Sequence, residues 1–270
     1  MSQWAQEPEV IRAQHVFVAG TQRPRLHDVS VSVHRGRVSA IIGANGSGKS
    51  TLLEVLSAEI SPEAGEVTYA SRPAGKISAR VAAQERALLA QSTPMAFSFS
   101  VLDVVSWGRI PWQGTDRQGE DDEAIAQAMT DTRISHLVDR RISELSGGEQ
   151  ARVHLARVLA QRAKVLLLDE ADATLDVAGQ GELDAIVSRR RDAGDAIVLV
   201  SHDLSRVSMI ADHVVALREG ECLTQGAVDE VFTESVLSET FDIPMQVTTT
   251  DTGKFVHRST DPPRPPRPSG

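Results

Sequence analysis

One cysteine, Cys222, is all that the 270 residues contain. No internal disulfide is possible, which agrees with a reducing compartment and leaves packing as the role expected of that thiol. Long apolar runs are missing too: nothing approaches the roughly 18 to 20 uncharged apolar residues of a membrane span. The opening MSQWAQEPEV lacks the basic region and apolar core of a secretory signal, so a cytosolic chain is expected. Positive charge is in short supply, with 28 Lys and Arg against 37 Asp and Glu. Phosphate backbones demand clustered cations, so no nucleic acid is expected among the partners, although a local basic patch is compatible with the balance. Internal repeats are absent. What remains is globular in character: 41% hydrophobic and 24% charged residues argue against wholesale disorder. The length suits one main α/β domain carrying a smaller subdomain.

Along the chain, residues 12–42 read as strands, with His27 to His34 alternating before the turn HRGR and the run VSAIIG. SPEAGEVTY adds a turn and a short strand. From about Gln91 to Ser146 the pattern is helical, in SVLDVVSWGR and EDDEAIAQAMTDT, the second with its acidic cluster where a helix dipole favours it. Val165 to Leu168 and Ala196 to Val200 are short and uncharged, as central parallel strands buried on both faces are, with a helix between them. The last ten residues, DPPRPPRPSG, hold too many prolines for helix or sheet and predict a disordered tail.

Gly43 to Ser50 read GANGSGKS, after the apolar run Val38 to Ile42 and into the helix KSTLLEVLS. Strand, glycine-rich turn and helix in that order form a phosphate-binding loop. Gly43, Asn45, Gly46, Ser47 and Gly48 let backbone N–H groups turn inward onto a phosphate. Lys49 reaches the β- and γ-phosphates, the Ser50 hydroxyl reaches Mg²⁺, and Thr51 follows on a helix whose dipole favours anions. A nucleoside triphosphate is the expected ligand. VLLLDEAD, Val165 to Asp172, ends a buried strand in adjacent carboxylates. Asp169 is placed to hold Mg²⁺ and Glu170 to polarise the water that attacks the γ-phosphate. Capping of a following helix is the plainer use of such carboxylates. In LSGGEQ, Leu145 to Gln150, Ser146 and Glu149 form a capping box at the start of ARVHLARVLAQ. Two glycines, Gly147 and Gly148, weaken a helix in its first turn. Close approach of a phosphate to the bare N-terminus gives them a reason.

In this order and spacing the three motifs resemble the ATP-binding subunit of an ABC transporter, and LSGGEQ is highly specific to that family. The match covers about residues 12–240. The resemblance implies an α/β fold, a P-loop NTPase of the ABC ATPase type. It has a RecA-like core, an antiparallel β subdomain and an α-helical insertion over about residues 92–160, followed by a C-terminal extension over 241–270 with the proline-rich tail. ATP and Mg²⁺ are the implied ligands. Gln91 in LLAQ matches the glutamine that senses Mg²⁺ and the attacking water and couples to the membrane subunit. Asp176 in ATLD matches the D-loop aspartate, and His202 in VSHD the switch histidine that contacts the γ-phosphate. Catalysis would then rest on Glu170, His202 and Gln91, and the metal on Ser50, Gln91 and Asp169.

In this family one subunit's signature caps the nucleotide held by another's phosphate loop. One set of motifs per chain therefore implies a head-to-tail homodimer, with Ser146 to Gly148 of each copy facing its partner's ATP. Separate permease subunits are implied at the cytoplasmic face of a membrane, served indirectly by an extracytoplasmic substrate-binding protein. The stretch STPMAFSFSVLDVVSWGRIPW, with a Ser100 to Asp103 capping box and a GR-x-P ending, resembles the subfamily serving iron-chelate, haem and cobalamin permeases. It implies import of a siderophore or haem, with cobalamin as the alternative, and a groove for the permease's coupling helix. Its plainer use is core packing by Phe97, Phe99, Val101 and Val104. The short stretch between Gln91 and Ser146 leaves no room for the coiled coils of DNA-repair relatives, and one phosphate loop excludes the paired cassettes of translation factors. Glu170 and His202 argue against a regulator that binds without hydrolysing. Two departures stand out. Ala19, not an aromatic, precedes Gly20, leaving Phe17 or His15 as substitutes for adenine stacking. Ala171 and Asp172 replace the usual Pro-Thr, bringing a further carboxylate close to Glu170 in sequence.

Overall fold

The computed structural model describes residues 8–91 and 98–259. Phe97 and the proline-rich tail lie outside them. β1 (Glu9–Val18) and β2 (Leu26–His34) form an antiparallel pair, followed by β3 (Val38–Ile42), α1 (Lys49–Leu56), β4 (Ala64–Tyr69) and β5 (Arg72–Pro73). α2 (Ala79–Glu85), β6 (Arg86–Leu89), α3 (Val101–Ser106), α4 (Asp121–Asp131) and α5 (Gly147–Ala160) come next. β7 (Val165–Asp169), α6 (Val177–Asp192), β8 (Ala196–Val200) and α7 (Leu204–Ile210) complete the alternating part. β9 (His213–Arg218), β10 (Glu221–Ala227), α8 (Val228–Val231), α9 (Glu234–Phe241), β11 (Met245–Thr250) and β12 (Gly253–Arg258) end the chain as described.

A six-stranded sheet in the order β10-β9-β3-β8-β7-β6 is the centre of the molecule; only β10 runs antiparallel to its neighbour. Every residue of β3, β7 and β8 is buried. Alternate side chains enter opposite layers, as a period of two requires. Leu166, Leu168, Ile197 and Leu199 join the core under the helices, while Leu167, Val198 and Val200 join a second core with α1 and the β2-β1-β4-β5 sheet. Cys222 packs at the margin of that second core, and burial pushes its thiol pKa up. No helix among the described residues is long and apolar enough to cross a membrane.

Two stretches differ from the sequence expectation. The helix read through SVLDVVSWGR stops at Ser106, and Trp107–Trp112 winds as a 3-10 segment that contains Pro111. Proline has no N–H to continue an α-helical ladder, and Gly108 brings the backbone against the Arg157 carbonyl, which a tight turn allows. The expected C-terminal extension contains a β-hairpin, β11 with β12, ahead of its proline-rich end. That hairpin is tied to α7: the Ser208 hydroxyl bonds the Lys254 backbone at both N and O (2.8 and 2.9 Å), and Val256 N donates to Ser205 Oγ at 3.0 Å.

Candidate functional site

Four adjacent parallel strands deliver the site from their C-terminal ends, where open α/β sheets bind ligands. The glycine-rich loop follows β3, His202 follows β8, Glu170 follows β7 and Gln91 follows β6. They border an open cleft of about 470 Å³.

At the loop, Gly48 has φ +102°, and a Cβ there would stand 2.6 Å from the Arg25 carbonyl and 2.9 Å from the Leu26 side chain. Only glycine fits. Lys49 is buried, and its Nζ donates to the carbonyls of Gly43 (2.9 Å) and Ala44 (3.0 Å), which holds the ammonium at the loop. Burial lowers the Lys49 pKa, while the charges of Glu170 and Asp169 pull it back up. The loop thus keeps a cation close to two carboxylates.

Glu170 is bracketed. Gln91 Nε2 donates to its Oε2 at 2.6 Å, and His202 Nε2 lies 2.7 Å from its Oε1. Its backbone sits at φ +49°, a left-handed conformation rare for a residue with a Cβ and found where a fold holds a functional side chain in place. The Glu170 N–H donates to Val200 O at 3.0 Å, so the loops after β7 and β8 stay in register. Beside it Asp169 is buried, and its Oδ1 has no hydrogen-bond partner. Burial raises the Asp169 pKa and a Ser50 hydrogen bond lowers it, with the Glu170 charge adding a further rise. A buried, unpartnered carboxylate oxygen next to a hydroxyl is a hard-oxygen donor set that fits Mg²⁺. Among the described residues no cluster of three or more His, Cys, Asp or Glu side chains stands ready to cage a metal alone. That suits a Mg²⁺ ion shared with substrate phosphates.

Of the residues expected from sequence, Asn45, Gly46, Gly48, Lys49, Ser50, Thr51, Gln91, Glu170 and His202 line the cleft together. Gly43, Ser47 and Asp169 are buried and do not line it. Ser146, Gly147, Gly148 and Asp176 lie elsewhere. Ser146 caps α5 with the expected reciprocal box: its N–H and hydroxyl bond Glu149 Oε2 at 2.8 and 2.7 Å. A Cβ on Gly147 would meet nothing within 4 Å, and one on Gly148 only the Thr174 carbonyl at 3.5 Å. The fold itself does not ask for these glycines. Asp176 caps α6 by accepting from Gly179 N at 2.8 Å, and Arg152 of α5 reaches it at 3.5 Å.

The two departures noted in the sequence can now be placed. Phe17 stands edge-on to His27, and His15 is bonded to Asp28 at 2.7 Å; neither lines the cleft. Arg23, Pro24 and Arg25 do, from the loop before β2. Their signal was present as three consecutive residues with two cations ahead of the phosphate loop, but nothing in sequence says that this loop folds over it. Asp172, in turn, points away from Glu170. Its Oδ2 accepts from Ser201 Oγ (2.7 Å) and Arg206 Nη1 (2.8 Å) in a buried cluster.

The sequence model of the ABC transporter family matches residues 26–173. A hemin import ATP-binding protein HmuV of Streptomyces coelicolor is 47% identical over 225 residues, 83% of this chain and 80% of that protein. Its namesake from Thermobifida fusca is 42% identical over 238 residues, 88% of this chain and 84% of its own length. Among solved structures, the dimeric bacterial ABC transporter cassette MJ0796 superposes with a TM-score of 0.72 at 21% identity, over 81% of this chain and 98% of that one.

Proposed function

Because this chain belongs to the ABC transporter ATP-binding family, we propose that it is the ATP-hydrolysing subunit of an importer for an iron chelate, with haem the first candidate cargo. One observation supports the catalytic part above all: a glutamate placed directly after a buried strand end, held between Gln91 and His202 at the edge of a phosphate-binding loop. In this reading Lys49 and the loop N–H groups neutralise the triphosphate, and that electrostatic work provides most of the rate acceleration. Ser50, Asp169 and Gln91 would hold Mg²⁺, which would supply charge neutralisation on the phosphates when bound. Glu170 orients the attacking water, and His202 keeps the carboxylate turned toward the cleft while facing the γ-phosphate.

Ser146, Gly147 and Gly148 complete the site from a second copy. A single chain leaves its signature outside its own cleft, so the nucleotide draws two chains together head-to-tail. The dimer docks on separate permease subunits at the cytoplasmic face of the membrane, and an extracytoplasmic substrate-binding protein feeds the permease. The ATPase domain spans residues 12–240, with the helical part, about 92–160, turned toward the permease. The cargo reading draws on the two hemin-import relatives, since no residue of an ATPase touches what the permease carries; cobalamin is the alternative.

Glu170→Gln keeps the shape of the side chain and removes the charge. Turnover is expected to fall by about 10²-fold or more while ATP binding persists. The ATP-bound protein should then elute as a dimer in size-exclusion chromatography, and haem uptake by cells carrying only this variant should stop. Wild-type turnover in Glu170→Gln would overturn the catalytic assignment, and haem and siderophore uptake that survive loss of the protein would overturn the cargo.

A further inference from the structure

Asp172 and Arg206 form a buried ion pair that no step of the chemistry above uses. Asp172 lies two residues after Glu170, and its Oδ2 accepts from Arg206 Nη1 at 2.8 Å and from Ser201 Oγ at 2.7 Å. Ser201 immediately precedes His202, and its Oγ also accepts the Asp203 N–H at 3.1 Å. Arg206 sits in the first turn of α7, the helix capped by Asp203, and its backbone N–H donates to Asp203 Oδ1 at 2.9 Å. Its Nε donates to Asp184 Oδ1 on α6 at 2.7 Å. Asp172, Ser201 and Arg206 are all buried. One guanidinium therefore spans two carboxylates, one in the Glu170 loop and one on α6, and it is carried by the helix that follows His202.

A charge cluster out of water is expensive, and apolar residues of similar size pack as well or better. Its value at this place is geometric. The loop after β7 carries Glu170 and the loop after β8 carries His202, so their relative placement sets the geometry of that pair. Besides the backbone bond of Glu170 to Val200, this cluster joins them on the side away from the cleft. A fixed hydroxyl, carboxylate and guanidinium have directional bonds that a greasy contact lacks.

We propose that Asp172, Ser201 and Arg206 are positioning residues that set the distance and angle between the Glu170 carboxylate and the His202 imidazole. Acting through Asp184, they also make α6, the helix capped by Asp176, move as one body with that pair. The proposal rests on the catalytic reading of Glu170 and His202. None of the three residues lines the nucleotide cleft. Their loss should leave ATP affinity in place and slow the chemical step.

The test uses the full chain in three forms, Asp172→Ala, Arg206→Met and the two combined. A fluorescent ATP analogue counts intact nucleotide sites, and steady-state hydrolysis gives kcat per site. Each single variant is expected to lower kcat per site by about 10-fold or more with KM within about 2-fold, since small misplacement of a catalytic group carries penalties of that size. The double variant should lose no more than the worse single, because residues acting as one unit are not additive. Unchanged kcat per site, with only thermal stability reduced, would reduce the cluster to a structural role and overturn the proposal. If Asp172→Ala does not fold, Ser201→Ala keeps the ion pair and removes one bond of the link. Its kcat per site should fall by about 3-fold or more at unchanged KM, at the lower end of what loss of one hydrogen bond costs, and a wild-type value overturns the proposal. Glu170→Gln runs alongside. Wild-type turnover there defeats the underlying reading, whereas an inactive Glu170→Gln beside a fully active Asp172→Ala defeats the positioning role alone.

Discussion

Arg23 and Arg25 put two guanidinium groups on the cleft, which no Phe, Tyr or Trp among the described residues lines. A guanidinium is planar and weakly hydrated, and it stacks on an aromatic face much as another ring does. Arg23 also comes within 3.5 Å of the Gly46 carbonyl in the phosphate loop, and Arg25 Nε donates to the Ala19 carbonyl at 3.3 Å. Ala19, the residue before Gly20, thus serves as a backbone anchor for Arg25, and a guanidinium held there would offer a stacking face where the sequence lacks an aromatic. Replacing both arginines with alanine should raise the KM for ATP by about 3- to 30-fold, as loss of roughly 0.5–2 kcal/mol of cation–π contact predicts. The kcat should change little, because the polar partners of the two arginines are Glu219, Glu54 and the carbonyls of Gly46 and Ala19 rather than Glu170, and Arg25→Tyr should recover much of the affinity. Steady-state kinetics decide this, and an unchanged KM in the double variant removes the arginines from nucleotide binding. At this scale the sequence was legible where backbone geometry forces the residue type: glycine at 48, a lysine at the helix start, carboxylates at a strand end. It showed Arg23 and Arg25 as cations ahead of the phosphate loop but not their place on the cleft, which depends on a loop closing over a distant segment.

Elements were legible in proportion to how local their determinants are. β3, β7 and β8 announced themselves as short uncharged runs because a strand buried on both faces admits nothing else. α4 showed its acidic N-terminus and α5 its capping box. The end of α3 was not legible, since the apolar rhythm continues into WGR while the backbone does not. Hairpin β11–β12 was missed because MQVTTT and GKFVHR alternate weakly and take their support from Ser205 and Ser208 on a distant helix. The segment after α3 earns its shape through contacts equally remote. Buried Arg109 bonds Asp121 at 2.6 Å and the carbonyls of Ala160 and Arg117 at 3.0 and 2.9 Å, and Trp112 Nε1 donates to Gln161 O at 2.7 Å. Arg117 lies over the Trp112 ring, 4.0 Å from its centroid. Together these fasten the Trp107–Trp112 segment to the C-terminal end of α5. Gly108 is the pivot, where any Cβ would overlap the Arg157 carbonyl. Gly108→Ala should destabilise the chain by about 1–3 kcal/mol through overpacking, lowering Tm by about 2–4 °C per kcal/mol, while ATP affinity holds because the cleft lies on other elements. Calorimetry showing an unchanged Tm would mean that the segment relaxes freely and is not fixed against α5.

At the scale of the whole molecule, the dimer proposed above needs two surfaces of each chain, the cleft and the start of α5, to serve different nucleotides. The first is already assembled within one chain: loop, strand ends and carboxylate share a cleft. The second, the start of α5, is exposed at Ser146 and Gly147 and opens onto solvent. Gly147 is the first residue of that helix, where a carboxylate would gain from the helix dipole. The chain's own packing leaves room for a side chain there, so the bare position is explained if the γ-phosphate of a second copy must approach. Gly147→Asp separates the two demands. A side chain there meets nothing within 4 Å, so the isolated chain should fold with unchanged or slightly higher Tm. Its own cleft is remote, so ATP affinity should stay within about 2-fold of the parent, as for a substitution with no shared partners. The added carboxylate would instead face the partner's triphosphate, and like charges brought together out of water cost several kcal/mol. ATP-driven dimerisation and hydrolysis should both disappear. Light scattering with ATP in the Glu170→Gln background, beside turnover in the otherwise native chain, gives the two readouts. A variant that still hydrolyses ATP at the native rate would show that one chain completes its own site, and the head-to-tail dimer would lose its physical basis.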